Sequence, residues 1–286
     1  MADEVEHITM VQRTPTYVVS APGTDSTGAL LRRVLPLGLA EAQARWRNVL
    51  ILWGMYQGSR RSPALMKRIL RTQAALQLPK GYPVDVDFKP PYDPWDQRLC
   101  VVPDGDLFRA IKRGKASIDT GHIETFTETG IRLTDGREIE ADIIVTATGF
   151  NFTMLGGLEL AIDGVRVEPG ERVFYKGCML DHVPNFCFVF GYANASWTLK
   201  ADLVADFVVR VLKRLEATGA TRFEPVRPDD LEVAFDVPLS SGYLSRVADT
   251  IPREGAELPW KMTHNYLMDV PRYRLGRIDD GHLTFS

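Results

Sequence analysis

The sequence predicts a mixed α/β fold, and three kinds of pattern support this prediction. Alternation of polar and apolar residues predicts a strand at His7–Val11, and a short apolar stretch predicts another at Leu99–Val102. Apolar residues three and four positions apart predict helices within residues 28–80. The run Ile143–Ala147 is mostly apolar and β-branched, which is typical of a strand covered on both faces in a parallel sheet.

The other elements follow from local signals of the same kind. The first strand stops at Pro15, and the last predicted helix has a polar start and Gly219 at its end. In chain order we predict a proline-rich connection over 79–96, a helix over 104–112, a meander over 123–139, a strand over Phe186–Phe190 and a helix from about Ser196 to Leu215.

Composition limits the classes of protein that need considering. The 286 residues are 45% hydrophobic and 25% charged, which is ordinary for a soluble globular chain and excludes collagen-like, disordered or disulfide-stapled types. Three scattered cysteines, without CxxC or metal-ligand spacing, predict free thiols in a reducing compartment and no metal site. No signal-peptide pattern opens the chain, and the longest apolar run, Val49–Met55, cannot span a bilayer. We therefore expect a cytoplasmic protein.

The charge is unevenly distributed. The net charge is −3, which predicts no bulk attraction to nucleic acid. Between Leu30 and Lys80, however, ten basic residues accompany one acid, Glu41, so this segment carries +9. Two interpretations stay open: a solvated helical face, or a face that meets phosphate from a cofactor or a membrane surface.

Arg13 directly follows the first predicted strand. In a nucleotide-binding βαβ unit the second strand ends beside the adenosine ribose, where an arginine accommodates the 2′-phosphate of NADP. An arginine after a strand can equally be an ordinary surface residue. The chain contains no Gly-x-Gly-x-x-Gly turn. Either this dinucleotide-binding interpretation is wrong, or the chain starts within a dinucleotide-binding domain.

Three further segments have the composition of site loops. Tyr92–Arg98 combines two aromatic residues, two carboxylates and an arginine around Pro94, although Arg98 could simply pair with Asp93 or Asp96. Thr148–Gly149 closes the apolar run, where glycine permits close approach of a ligand to the backbone. Residues 191–198 form a turn of small residues followed by a helix start, whose free N–H groups favour negative charge on a ligand.

Taken together and in this order, these segments resemble the flavin-containing monooxygenase superfamily. The matching stretches are Met10–Val19, Tyr92–Cys100, Val102–Phe108, Asp142–Gly149, Gly191–Asp202, Pro259–Trp260 and Asn265–Leu267. The likeness is to Baeyer–Villiger monooxygenases, especially the actinobacterial subgroup that includes the ethionamide-activating monooxygenase. It runs from about Val5 to the C-terminus and lacks the N-terminal glycine-rich motifs for FAD and NADP.

The resemblance implies an incomplete two-dinucleotide-binding-domain (Rossmann-like) flavoprotein with a helical insertion. It implies FAD and NADP as cofactors, and oxygenation of a small-molecule ketone or thioether by O2 through a C4a-peroxyflavin. By position, Arg98 would be catalytic, stabilising negative charge on oxygen. The positions implied to contact cofactors are Arg13, Thr14 and Gln97 for NADP, and Thr148, Gly149, Asn194, Ala195, Ser196 and Trp197 for FAD.

The resemblance also implies a division into four parts. These are a remnant of the NADP-binding domain over 1–20, a basic helical insertion over 21–90, the second part of the NADP-binding domain over 91–141, and the C-terminal part of the FAD-binding domain over 142–286. Peripheral membrane contact through residues 30–80 is a hypothesis, as is membrane association of the protein. Two alternatives to a monooxygenase stay open: a non-catalytic remnant or module that complements a separate N-terminal chain, and an FAD-dependent reductase that does not oxygenate.

Overall fold

The computed structural model describes residues 1–97, 99–149, 151–234 and 246–286, and the chain divides into two units, Met1–Thr148 and Gly149–Ser286. The four-part division implied by the family resemblance stays a prediction. In the first unit the elements are β1 (Ile8–Gln12), β2 (Val18–Ala21), α1 (Ser26–Val34), α2 (Leu37–Arg61), α3 (Pro63–Gln77), α4 (Val84–Asp87), β3 (Cys100–Pro103), α5 (Asp106–Lys112), β4 (Ala116–Thr120), β5 (Ile123–Phe126), β6 (Gly130–Leu133) and β7 (Glu138–Glu140).

Parallel pairing between distant strands characterises the first unit. β1 pairs with β4 from Ile8 opposite Ala116 to Gln12 opposite Thr120. β2 pairs in parallel with β3, while β5, β6 and β7 form an antiparallel meander. Parallel strands need long crossover connections, and here helices provide them. The predicted mixed α/β class is therefore confirmed.

The helical prediction for residues 28–80 is also confirmed, because α1, α2 and α3 occupy this segment. Pro63 takes the first position of α3, where its missing N–H costs nothing. The core of the unit packs α3, α4 and α5 against β2 and β4. Its buried members are Val18, Ala74, Leu78, Phe88, Phe108, Ile111 and Ile118.

The described residues of the second unit form short antiparallel strand pairs and the helices α6 and α7. Its elements are β8 (Leu160–Ile162), β9 (Val165–Val167), β10 (Phe174–Tyr175), β11 (Met179–Leu180), α6 (Trp197–Thr218), β12 (Phe223–Pro225), β13 (Val233–Ala234), β14 (Glu254–Gly255), α7 (Tyr266–Arg274) and β15 (Leu283–Phe285). α6 ends at Gly219, which has φ +71° as the left-handed cap requires. Helices α6 and α7 pack together.

Two predicted strands are wrong. Residues 143–147 form no ladder with any described strand, and Ile143, Ile144 and Val145 are 79%, 38% and 71% exposed. Residues 186–190 are likewise outside any strand, although the amide of Phe188 donates to the carbonyl of Cys178 over 2.9 Å. An apolar β-branched run favours a strand only where another strand offers its N–H and C=O groups. The described chain places none beside these runs.

None of the helices that the structure describes is both long enough and apolar enough to pass through a bilayer.

Candidate functional site

The first candidate site lies where β1 ends, and a polar network fixes that end. The side-chain amide of Gln12 donates to the carbonyl of Asp87 over 2.9 Å and to Oγ1 of Thr120 over 2.8 Å. The hydroxyls of Thr120 and Tyr82 each donate to the Asp87 carboxylate over 2.8 Å. Burial, with the Asp87 carboxylate beside it, raises the pKa of Tyr82 above its ordinary value. The carboxyl end of β1 is therefore tied to β4 and α4.

Arg13 and Thr14 follow this fixed end, and both are exposed. Arg13 forms no ion pair with any residue in the described ranges. Asp87, which lies nearby, is 4% exposed, and its carboxylate accepts hydrogen bonds from two hydroxyls. The hydrogen-bonding capacity of this carboxylate is therefore already in use. A guanidinium and a hydroxyl at a strand end can bind an anion, since arginine donates to phosphate in a bidentate manner.

The second candidate site is the loop Tyr92–Gln97. Nζ of Lys67 on α3 lies 2.6 Å from Oδ1 of Asp93, and Nη1 of Arg60 on α2 donates to Oδ1 of Asp96 over 2.9 Å. Trp95 adopts φ +75°, an unusual backbone conformation for a bulky residue, and its buried indole N–H has no partner in the described chain. Strain of this kind and unpaired polar atoms concentrate at binding sites.

The catalytic candidate Arg98 lies outside the described residues. The carboxylates that could have paired with it, Asp93 and Asp96, are both paired with basic residues of the helical segment. Gln97 is half-buried and makes an isolated bridge with Pro94. The ion pairs of Asp93 and Asp96 hold the loop against α2 and α3.

Thr148 and Gly149 are the third candidate site, at the end of the exposed apolar run. Both are exposed, and Gly149 has φ +117°, which only glycine adopts readily. A Cβ at Gly149 would meet nothing within 4 Å, so the space beside this backbone is open.

The fourth candidate site is the turn between Gly191 and α6. Asn194 and Ala195 are half-buried, whereas Ser196 and Trp197 are exposed. Ser196 caps α6, because its hydroxyl accepts a hydrogen bond from the amide of Thr198 over 3.4 Å. The positive end of the helix dipole also lies at this turn, which favours an anionic or polar ligand.

Trp197 packs closely on the backbone at the start of this turn. A Cβ on Gly191 would lie 2.1 Å from the Trp197 ring, so only glycine fits here. The ring centroid of Trp197 is also 5.8 Å from that of Phe190. The backbone of Gly191 and the ring of Trp197 therefore lie against each other, which closes the turn between them.

A buried ion pair that the sequence analysis did not predict supports the turn from within the unit. Nζ of Lys200, in α6, lies 2.8 Å from Oδ2 of Asp269, in α7, and the hydroxyl of Tyr192 donates to the same oxygen over 2.8 Å. One signal could have revealed Lys200. It occupies the apolar stripe of α6, three and four residues before the buried Leu203 and Val204, where a charge requires a partner.

The basic segment is partly neutralised by the fold. Several of its basic residues pair with acids from outside the segment. These pairs are Arg47–Asp25, Arg60–Asp96, Lys67–Asp93 and Arg71–Asp85. Arg32, Arg33, Arg61, Arg68 and Lys80 form no ion pair with the described residues. Part of the positive charge is thus structural, and part is available to an external anion.

Comparison with known proteins gives close relatives in sequence. No family model matches the chain. It is 45% identical over 282 residues to the FAD-containing monooxygenase EthA of Mycobacterium tuberculosis, covering 98% of this chain and 58% of that protein. It is 44% identical over 284 residues to the probable FAD-binding monooxygenase AlmA of Acinetobacter baylyi, covering 98% and 57%.

Solved structures agree in fold. The chain matches OTEMO, solved in complex with FAD and NADP, with a TM-score of 0.63 at 14% identity, covering 100% of this chain and 63% of that one. It matches a steroid monooxygenase bound to NADP with a TM-score of 0.60 at 21% identity, covering 79% and 52%. The chain is therefore similar in sequence to proteins named as FAD-containing monooxygenases along nearly all of its own length, and it spans 58% of the length of the EthA relative.

Proposed function

We propose that the chain forms part of an FAD- and NADPH-dependent monooxygenase that oxygenates a small-molecule ketone, or a sulfur or nitrogen centre, with O2. The observation that supports this most strongly is its 45% identity, over 98% of its length, to a protein named as an FAD-containing monooxygenase. The candidate sites are compatible with this function, each for its own chemical reason.

The end of β1 fits the 2′-phosphate of NADPH. The network of Gln12, Thr120 and Asp87 holds the strand end, so the backbone that carries Arg13 is fixed in place. Arg13 is exposed and has no carboxylate partner in the described chain, and Thr14 adds a hydroxyl donor. A fixed backbone with a free guanidinium favours recognition of the phosphate over the plain ribose of NADH.

The turn before α6 and the Thr148–Gly149 turn fit FAD. The α6 N-terminus offers N–H donors beside Asn194, Ala195, Ser196 and Trp197. The open space at Gly149 allows a ring or phosphate to approach the backbone. When bound, FAD would take up hydride from NADPH and activate O2. The residues of this chain would bind and orient it.

We propose Arg98 as the catalytic residue, and the neighbouring Gln97 as a residue that contacts NADP. A guanidinium keeps its charge at all physiological pH values, so it suits stabilisation of negative charge on oxygen rather than proton transfer. The ion pairs of Asp93 and Asp96 with Lys67 and Arg60 would hold the preceding loop in place.

The decisive experiment is to purify the chain, add FAD, record flavin absorbance, and follow NADPH oxidation with a ketone or a thioether. Because the chain spans only 58% of the EthA relative, we expect substrate-dependent NADPH oxidation that matches the oxygenated product in a protein that also contains the remaining part. NADPH oxidation without oxygenated product would favour a reductase instead. The exposed run Ile143–Val145 favours a second candidate, a module that complements a separate N-terminal chain. Activity that appears only on co-expression with that chain would establish it.

We also propose that residues 30–80 make a peripheral contact with a membrane surface. The support for this is the +9 charge of the segment together with its five basic residues that form no ion pair with the described chain.

A further inference from the structure

The turn between Gly191 and α6 sends one side chain into the core of the second unit. Tyr192 is 2% exposed, and its hydroxyl donates to Oδ2 of Asp269, in α7, over 2.8 Å. Nζ of Lys200 lies 5.3 Å from the centre of the Tyr192 ring, at a distance typical of a cation–π contact. Residues 194–197, which follow, are half-buried or exposed. Tyr192 therefore ties a largely accessible turn to the interior.

The acceptor of this hydrogen bond is held from several directions. Asp269 is 1% exposed, and the same Oδ2 lies 2.8 Å from Nζ of Lys200 in α6. Its other oxygen, Oδ1, accepts hydrogen bonds from the Thr263 hydroxyl over 2.6 Å and from the Arg272 guanidinium over 3.2 Å. Hydrogen bonds to a charged group are stronger than those between neutral groups, and here they engage both oxygens. The Tyr192 hydroxyl is therefore anchored to a fixed point.

A second cluster of the same chemistry occurs in this unit, at residues that belong to no candidate site. The hydroxyl of Tyr175, in β10, donates to Oδ2 of Asp280 over 2.7 Å, and Nζ of Lys176 lies 2.9 Å from the same oxygen. Tyr175 is 0% exposed. The two tyrosines thus make equivalent hydrogen bonds, but only Tyr192 lies in a turn that is proposed to contact FAD. Comparing them separates the effect of a buried hydrogen bond from the effect of its place.

We infer that Tyr192 is a positioning residue for FAD, which acts by fixing the backbone that carries residues 194–197. A turn that already has its binding conformation loses less conformational entropy when a ligand binds, so the ligand binds more tightly. The contact of Gly191 with Trp197 closes the turn, whereas the hydrogen bond from Tyr192 to Asp269 holds the turn against α7. The inference rests on the proposed function, which assigns residues 194–197 to FAD.

The first test uses the 286-residue chain without FAD. In Tyr192→Phe the backbone amides of residues 193–198 should exchange their hydrogens about fivefold faster than in the wild type, because the turn is no longer tied to Asp269. The matched control is Tyr175→Phe, which removes an equivalent buried hydrogen bond and should leave exchange in this turn unchanged. Urea unfolding should show similar losses of stability in the two variants. Unchanged exchange in Tyr192→Phe would overturn the inference.

The second test titrates FAD into a protein that also contains the part of the EthA relative that this chain does not span. Tyr192→Phe should raise the dissociation constant of FAD about tenfold and displace the absorption band of the bound flavin, which a loss of stability alone would not do. Tyr175→Phe should do neither. Thr263→Val removes a hydroxyl from the Asp269 carboxylate without changing the turn, and it should bind FAD like the wild type.

The outcomes of the titration are distinguishable. If Tyr192→Phe binds FAD like the wild type, Tyr192 is only structural, and the inference is wrong while the proposed function stands. If Tyr175→Phe or Thr263→Val weakens FAD binding as much as Tyr192→Phe does, the effect does not come from the tie between Tyr192 and the turn, and the inference is again wrong. If the wild type binds no FAD, the inference and the proposed function are both wrong.

Discussion

Nζ of Lys200 and Oδ2 of Asp269 lie 2.8 Å apart, with the two side chains only 4% and 1% exposed. The Asp269 carboxylate also accepts hydrogen bonds from the hydroxyls of Tyr192 and Thr263 and from the guanidinium of Arg272. Burial lowers the pKa of Lys200, and the carboxylate opposes that shift. This cluster joins α6, α7 and the turn that precedes α6.

Asp269→Asn should destabilise the protein by about 3–5 kcal/mol, because it leaves the Lys200 ammonium buried without its counter-charge. Urea unfolding of the full chain measures the loss. The control is Asp206→Asn, which breaks an ion pair of the same 2.8 Å length with Arg274, where the side chains are 50% and 42% exposed. That change should cost no more than about 1 kcal/mol. Equal losses of unfolding free energy in the two variants would show that burial does not decide how much such an ion pair contributes to stability.

Gly191→Ala should cost about 1–3 kcal/mol, because the new methyl group forces the Trp197 ring to move. A double-mutant cycle tests this cause: in a Trp197→Ala background the same substitution should be nearly neutral. Gly54→Ala in α2 is the control, since a Cβ there meets nothing within 4 Å, and it should stabilise by about 0.5–1 kcal/mol. If Gly191→Ala lost as much unfolding free energy in the Trp197→Ala background as in the wild type, the contact with the Trp197 ring would not be the cause of the loss.

Stability should fall at alkaline pH partly through Tyr17. Burial, followed by the charge of Asp93, raises the pKa of Tyr17 to about 12 from its ordinary value of 10.0. The folded state then holds the phenolic proton more tightly, so this contribution is complete below pH 10 and is lost as pH rises through about 12. The difference in unfolding free energy between wild type and Tyr17→Phe should narrow across that window. A constant difference would refute the raised pKa.

Arg13→Ala should weaken NADPH binding by about 10- to 100-fold while leaving NADH binding almost unchanged, because only NADPH presents a 2′-phosphate to the guanidinium. Equilibrium titration with the two nucleotides provides the measurement. Arg132→Ala, at an exposed position of β6, is a suitable control and should affect neither. Equal weakening for both nucleotides would remove the proposed role in 2′-phosphate recognition.

In a protein that also contains the part of the EthA relative that this chain does not span, Arg98→Ala should abolish formation of the oxygenated product without releasing FAD, because the arginine is proposed to stabilise charge during the reaction rather than to hold the cofactor. Flavin absorbance after gel filtration reports binding, and product analysis reports oxygenation. Product formation at the wild-type rate would rule out the catalytic assignment.

The parts of the fold that depend on local sequence were predictable. β1 follows from its alternation and from Pro15, and α6 from its polar start and Gly219. The partner of β1 was not predicted, since β4 lies more than a hundred residues further along and Ala116–Thr120 is only weakly apolar. Pairing at that distance leaves no local signal.

The candidate sites also divide into residues that a local sequence signal reveals and residues whose role depends on distant partners. Arg13 and the turn before α6 could be chosen from sequence because they adjoin predicted elements. Asp87, which holds the end of β1, could not, since its partner Thr120 comes from β4, 33 residues further along the chain. The strand expected at residues 143–147 failed for a related reason, because its pattern encodes burial and the pairing that burial requires is non-local.

The exposed run Ile143–Val145 has a practical consequence for handling the protein. Three consecutive exposed β-branched residues that form no ladder with a described strand can template the same segment of another molecule. Concentrated preparations should therefore aggregate through this stretch, and a single lysine at Val145 would be the simplest way to keep the protein in solution.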